Sequence, residues 1–456
     1  VSGVRPFSKV LVANRGEIAV RIMRALREMD IASVAVYSEA DRTALHVRLA
    51  DEAYCIGPAA SPKSYLHFPN LLSVATLTGV DAIHPGYGFL SENAAFADVC
   101  RACNIVFIGP SPEAITRMGD KAMARATMIA AGVPVIPGSD GLLHTVEAAE
   151  AVAQRICYPL VIKATAGGGG KGIRIVHRAE DLFSQMQAAQ QEAKAAFGNG
   201  GVYMEKYLER MRHVEVQILA DAYGNVVHLG ERDCSVQRRR QKLVEEAPCP
   251  VLDDAVRMRM GQAAVQAAHA VQYVGAGTVE FLLAPDGTFY FMEMNTRIQV
   301  EHPVTEMITQ RDIVREMILI AQGHPLSFAQ EDIRYTGASI ECRINAEHVA
   351  KQFMPAPGVV SVYFPPGGIG VRVDSACYPG YAIPPFYDSM IAKLIVWAPT
   401  RMEAIQKMQR ALGEFVIEGV HTTIPFHQQL LRDAQFVAGD VHIQFLDEVD
   451  WMKSIG

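Results

Sequence analysis

Over the first part of the chain, apolar and polar positions follow two periods in turn. Short apolar runs, KVLVAN, SVAVYS, DAIHPG and IVFIG, are set apart by stretches such as GEIAVRIMRALREM, whose apolar residues recur at helical spacing. The first pattern predicts buried strands and the second predicts amphipathic helices, so residues 1–118 read as a parallel sheet with helices on both faces. Another region, 119–335, opens with GDKAMARATMIAAGVPVIPG, a helix ended by Gly132 and Pro134. It contains a small lobe at about 135–207, built around PLVIKATAGGGGKGIRIVH, and continues with HVEVQILAD, which alternates in a period of two. Residues 336–450 form a third region, with strands ASIECRINA, GVVSVYFPP and GIGVRVDSA and the helix TRMEAIQKMQRALGEF. The fold class is therefore α/β.

One hairpin carries a chemical signal. Between Gly275 and Arg297 two apolar runs meet at Asp286-Gly287, a dipeptide that favours a two-residue turn. Pairing Pro285 with Thr288 sets Ala284 opposite Phe289, Leu282 opposite Phe291 and Glu280 opposite Glu293. A strand regular as far as Arg297 places Glu280, Glu293, Asn295 and Arg297 on one face. Opposed carboxylates repel unless a cation lies between them. Two carboxylates and an amide are hard oxygen donors suited to Mg²⁺ or Mn²⁺, so the hairpin reads as a metal-nucleotide platform. The competing reading is an exposed hairpin whose glutamates repel weakly in water.

Composition narrows the class. The 456 residues are 50% hydrophobic, enough for sizeable cores, and mean hydropathy is +0.11. No run of 18 or more apolar residues occurs and the start, VSGVRPFSKV, has no signal-peptide core, which predicts a protein without membrane association. A net charge of -7 argues against general nucleic-acid binding. The basic cluster Arg238, Arg239, Arg240 and Lys242, near acidic metal ligands, suits phosphate or carboxylate instead. Eight scattered cysteines show no disulfide framework and predict a reducing cytoplasm. Cys100 and Cys103 form a C-x-x-C with no second pair, and read as buried residues of the helix NAAFADVCRACN.

Gly167 to Gly170, followed by Lys171 and Gly172, is not a Walker A loop, because Ser/Thr is missing and the next run, IRIVH, has strand character. Strand, glycine loop and strand predict a mobile lid whose N–H groups approach phosphates without interference from Cβ atoms. Lys163 at the end of the first strand and Lys121 at a helix start are candidate partners for a triphosphate. Glu205, Lys206, Tyr207 and Leu208 mark where an adenine would lie, although the same pattern fits an ordinary edge strand. Gly16 and Glu17 open a helix after a strand without G-x-G-x-x-G, so a dinucleotide site gains little support. His84 to Gly88 either serves a site or is only a turn.

Many long motifs in one order complete the reading: VANRGEIAVRI, HPGYGFLSEN, GDKAMAR, KATAGGGGKG, EKYLERMRHVEVQ, ERDCSVQRRRQK, EEAP, EMNTRIQVEHPVTE, ECRINAE and YDSMIAKLI. The chain resembles biotin carboxylase from about Lys9 to Leu446. The resemblance implies a Rossmann-like N-terminal domain, an ATP-grasp domain with a glycine-rich lid lobe, and a mixed α+β C-terminal domain. It assigns ATP to Lys121, Lys163, Gly169, Gly170, Glu205, Lys206, Tyr207, Leu208, His213, Arg240, Glu280 and Glu293, and two divalent metals to Glu280, Glu293 and Asn295. Lys242, Arg297, Gln299 and Val300 would surround bicarbonate, Glu301 would take its proton, and Arg343 would face the biotin ureido oxygen. Two positions depart from some relatives: Arg240 stands where they have histidine and Ala166 where they have glycine, which puts nucleotide affinity in question.

The implied reaction carboxylates biotin on a separate carrier protein, since no Ala-Met-Lys-Met segment occurs. The expected setting is a homodimeric component of cytoplasmic acetyl-CoA carboxylase in fatty acid synthesis, partnered by carboxyltransferase subunits; the same subunit of a pyruvate, propionyl-CoA or related carboxylase is the alternative. Carboxylate-amine ligase and nucleotide-binding regulatory readings are disfavoured by Arg297, Glu301 and Arg343 beside the metal ligands.

Overall fold

The computed structural model describes residues 3–164, 173–197, 202–449 and 451. The chain divides into two compact units, one of Val1–Val133, Arg212–Phe281 and Glu293–Gly456, the other of Pro134–Met211 and Leu282–Met292.

The first unit begins with five parallel strands, β1 (Lys9–Val12), β2 (Ala32–Ser38), β3 (Glu52–Gly57), β4 (Ala82–His84) and β5 (Val106–Phe107), in the order β3-β2-β1-β4-β5. The helix Gly16–Glu28 follows β1, and its Ile18, Ile22 and Leu26 are buried on one stripe, as the helical spacing predicts. Past the carboxyl ends of β1 and β4, the His84–Gly88 turn is pinned: Asn14 Nδ2 donates to Pro85 O and Tyr87 O, each at 2.7 Å, and Tyr87 OH donates to Glu17. The C-x-x-C reading needs one correction. Cys100 is buried in the helix Ala94–Ala102, but Cys103 lies one residue past its end and is exposed, because Asn104 takes a positive φ of 57° and turns the chain away.

In the second unit β6 (Leu160–Ala164), β7 (Ile173–Val176) and β8 (Val202–Lys206) form an antiparallel sheet in the order β7-β6-β8. Strands therefore flank the glycine run on both sides. Ala166, Gly169 and Gly170 themselves fall outside the described residues. Leu160, Ile162, Val202 and Met204 pack with Ala149, Ala153, Leu182 and Met186 of two helices, which fixes the strand that carries Lys163.

Six further strands are β9 (Arg212–Ala220), β10 (Val226–Arg238), β11 (Gln241–Ala247), β12 (Gly275–Leu283), β13 (Phe289–Asn295) and β14 (Ala338–Asn345). They join in the order β13-β12-β9-β10-β11-β14, extended by the strands Met390–Ala398 and Val371–Ser375. Arg239 and Arg240, with φ of 49° and 66°, make the two-residue turn between β10 and β11.

The hairpin register differs from the sequence count. Pro285 has no N–H to give Thr288, so the bond moves back one residue: Ala284 N–H donates to Thr288 O at 2.8 Å, and Gly287 N–H closes the turn on Ala284 O at 3.0 Å. The loop thus has three residues, with Gly287 at φ 81°, and a regular ladder counted from this pair no longer sets Glu280 opposite Glu293. Alternation also breaks in β13, where Met292 and Glu293 are both exposed. Arg297 lies beyond the strand, which ends at Asn295.

Candidate active site

β9 alternates polar and apolar residues, yet every position along it is buried. Val214, Val216 and Ile218 belong to the core, whereas His213, Glu215 and Gln217 share the other face. A buried polar face needs partners. Arg232, opposite Glu215 on β10 and 0% exposed, donates to Glu215 Oε1 at 2.6 Å, to Gln217 Oε1 at 2.8 Å and to Gln299 Oε1 at 3.0 Å. Lys242, from β11, reaches Glu215 at 2.6 Å, Glu280 at 3.1 Å and Glu301 at 2.6 Å.

Glu301 precedes the helix His302–Thr309, and Arg343 comes from β14. Arg343 Nη2 donates to Glu301 Oε2 at 3.0 Å, and its Nε donates to Glu245 Oε1 at 2.6 Å. One buried carboxylate is thereby held between an ammonium and a guanidinium. Burial alone would raise the pKa of Glu301, but Lys242, Arg343 and Arg232 hold it well below the usual carboxylate range. Burial likewise opposes the charge on Lys242, and Glu215 followed by Glu301 overrides it, keeping the ammonium protonated well past its ordinary range. Glu245 shows the reverse balance: burial dominates over Arg343 and lifts it to about 7.

Glu280 occupies the centre of a second cluster. Its Oε1 accepts from Asn295 Nδ2 at 2.9 Å, Gln299 Nε2 at 2.8 Å and Lys242 Nζ at 3.1 Å, and His213 Nε2 lies 3.1 Å from its Oε2. Burial works against the charge on Glu280, yet Lys242 and then His213 depress its pKa; burial and then Glu280 raise that of Glu293, against Lys121. The hard-oxygen donors Glu280 and Glu293 fit Mg²⁺ or Mn²⁺. Asn295 turns its oxygen to Arg297 Nη2 at 3.0 Å, so its amide would have to rotate to ligate.

These opposite shifts predict a split. Glu280→Gln should destabilise the metal-free protein by about 1–3 kcal/mol, since it weakens a buried charged hydrogen-bond set. Because the folded pKa of Glu280 is depressed, that stabilisation is full above the ordinary carboxylate range and is lost as pH falls through the lowered value. Glu293→Gln, which relieves the repulsion from Glu280, should leave stability unchanged or raise it by about 0.2–1 kcal/mol. Both should demand more Mg²⁺ for ATP use. Urea titration of the apo protein and Mg²⁺ titration of turnover check this, and unchanged Mg²⁺ dependence in both variants would remove the metal assignment.

Arg297 engages Glu92 Oε2 at 2.8 Å and the Asn295 oxygen, rather than Glu301. Val300 O accepts from the buried Lys393 at 2.8 Å. In the second unit, Lys163 is ion-paired with Glu205, as follows from their diagonal positions on β6 and β8. Lys206 N–H donates to Pro137 O at 2.8 Å, Tyr207 N–H to Pro159 O at 3.1 Å, and Lys206 Nζ to Tyr158 O at 2.9 Å. With those two backbone donors engaged, edge recognition of an adenine would fall to carbonyl oxygens and Leu208. Lys121 opens the helix Lys121–Ala130, and Arg240 sits at its turn. Sequence reasoning missed Glu215, Arg232, Glu245 and Glu92. The period-two polar positions of HVEVQ were the available signal for the first of these.

The sheet with its buried Lys-Glu-Arg site and, in the second unit, the strands flanking the glycine run are those of a mixed α/β fold. Three family models match: the biotin carboxylase N-terminal domain at 6–115, the ATP-binding domain of carbamoyl-phosphate synthase L chain at 120–329, and the biotin carboxylase C-terminal domain at 341–448. The chain is 62% identical over 447 residues to biotin carboxylase 1 of Bacillus subtilis, covering 98% of this chain and 99% of that one. It is 55% identical to a pyruvate carboxylase subunit of Methanothermobacter thermautotrophicus, over 97% of this chain and 90% of the relative. A biotin carboxylase domain dimer of Hydrogenobacter thermophilus 2-oxoglutarate carboxylase, in complex with MgADP, ADP and bicarbonate, matches with TM-score 0.88 and 51% identity over 98% of each chain. The chain belongs to the biotin carboxylase family, and is an ATP-dependent carboxylating ligase. Among the described residues no helix is long and apolar enough to cross a membrane.

Proposed function

We propose that the enzyme uses ATP and bicarbonate to carboxylate biotin borne on a separate carrier protein. The observation that carries this reading is the ionised Glu301 held between Lys242 and Arg343. A base must be unprotonated and within reach of its substrate, and a carboxylate with a depressed pKa meets the first condition at neutral pH. Bicarbonate binds at Lys242, Arg297, Gln299 and the Val300 backbone, and Glu301 takes its proton. The bicarbonate oxygen attacks the γ-phosphorus, ADP leaves and carboxyphosphate forms. Carboxyphosphate breaks to CO₂ and phosphate, phosphate takes the N1′ proton of biotin, and N1′ attacks CO₂. Arg343 stabilises the ureido oxygen as negative charge develops there.

In the first unit Lys121, His213, Arg240, Glu280 and Glu293 serve ATP, and Glu280, Glu293 and Asn295 hold the divalent cations, which neutralise phosphate charge when bound. In the second, Lys163, Gly169, Gly170 and Glu205 to Leu208 serve ATP. The MgADP and bicarbonate in the Hydrogenobacter thermophilus complex support this set of ligands, and its dimeric state supports a homodimer here. The setting we propose is acetyl-CoA carboxylase, with a carrier protein and carboxyltransferase as partners in the cytoplasm. The pyruvate carboxylase relative keeps a second setting open for the same half-reaction.

With bicarbonate present, free biotin should accelerate ATP cleavage and accumulate carboxybiotin. Turnover indifferent to both bicarbonate removal and saturating biotin would overturn the reading in favour of another ATP-grasp ligase.

A further inference from the structure

The backbone carbonyl of Arg343 is gripped by two side chains from a remote part of the chain. Thr423 Oγ1 donates to it at 2.9 Å and His427 Nε2 lies 2.7 Å from it. A carbonyl only accepts, so the imidazole carries its proton on Nε2; Nδ1 is left buried with no partner among the described residues. Both side chains are 0% exposed. Thr423 Oγ1 also accepts from Asn345 N–H at 3.0 Å, and Thr423 N–H donates to Asn345 O at 3.1 Å.

This grip falls where the sheet stops supplying one. The β11 and β14 ladder ends at the pair Val244 and Cys342, one residue before Arg343. On the other side, pairing of β14 with the strand Met390–Ala398 slips between Ile344 and Asn345. On the side where β11 no longer pairs, the Arg343 carbonyl and the Asn345 N–H are therefore met by Thr423 and His427, while Arg343 and Ile344 stay paired with Lys393 and Ala392 on the other. Just before Thr423, His421 stacks on His348 with ring centroids 3.9 Å apart, which seats the segment.

We propose that Thr423 and His427 are positioning residues, which by fixing the Arg343 backbone set the aim of its guanidinium and so couple ATP cleavage to biotin carboxylation. The proposal rests on the assignment of Arg343 to the biotin oxygen. A misaim of about 1 Å costs on the order of 10²-fold in a step that depends on orientation, and a loosened backbone should cost a part of that.

The test measures ADP and carboxybiotin in one tube for Thr423→Val, Thr423→Ser, His427→Leu and His427→Gln, with Arg343→Ala alongside. Valine and leucine remove the donors; serine and glutamine keep one. Thr423→Val and His427→Leu should lower the carboxybiotin-to-ADP ratio by on the order of tenfold, and the serine and glutamine variants should restore most of it. If Arg343→Ala is uncoupled while both donor-free variants keep the normal ratio, the positioning role is overturned, even if their melting temperatures fall. If Arg343→Ala itself keeps the normal ratio, the assignment of Arg343 fails and this inference with it. Should either donor-free variant not fold, the pair at the other position decides.

Discussion

Glu301→Gln should suppress bicarbonate-dependent ATP cleavage and carboxybiotin formation together, by about 10²- to 10⁴-fold, the usual range for removing a positioned general base. The expectation follows from what the glutamine leaves intact. Lys242 keeps Glu215 and Glu280 as partners, and Arg343 keeps Glu245, so neither cation is stranded. The amide fills the same buried space but has no proton affinity at neutral pH. Because bicarbonate activation precedes phosphoryl transfer in the proposed order, both products fall in the same proportion. ADP and carboxybiotin measured at several bicarbonate concentrations check this. Coupled turnover near the wild-type rate would remove Glu301 as the base.

Much of the fold was legible because local pattern and tertiary placement agree. The strand and helix periods before residue 118 give four of the five strands of the parallel sheet, β3 being the one not read, and strands do flank the glycine run. Where the reading slipped, one local detail overrode a sound rule. Asp286-Gly287 is a good two-residue turn, but the proline before it cannot donate, and a third loop residue displaces the count. The two glutamates nonetheless act on each other through their fields, although they are not opposite in the ladder.

Of the site, the motif residues could be named from resemblance, whereas their support could not. Glu215 sits in a run with the alternation of an ordinary half-exposed strand. Groups from far along the chain bury that face, Gln299 and Thr305 meeting Arg232 and Glu301 meeting Lys242 over it. Arg232 stands between Glu231 and Asp233, and Glu245 beside Glu246, in strand-like runs that single out neither. Their partners lie 17 and 98 residues away, at separations no local period reports.

Arg343→Ala should separate the two half-steps that Glu301→Gln removes together. Its guanidinium bridges Glu245 and Glu301, so its loss deprives Glu301 of one of its cations and lets the carboxylate pKa rise from its lowered value. Lys242 remains 2.6 Å from Glu301, and Arg232 still contributes. The base thus keeps most of its electrostatic support, and ATP cleavage should decline modestly. The biotin oxygen has no such reserve in the proposed assignment, where Arg343 alone meets the developing charge. Removing one preorganised donor of this kind costs about 10²- to 10³-fold, so carboxybiotin should fall by that factor while ADP release continues, leaving an enzyme that cleaves ATP with bicarbonate but transfers little carboxyl to biotin. Equal losses of ADP and carboxybiotin would instead place Arg343 in bicarbonate binding, and a preserved product ratio with lowered thermal stability would make it a structural partner of Glu245.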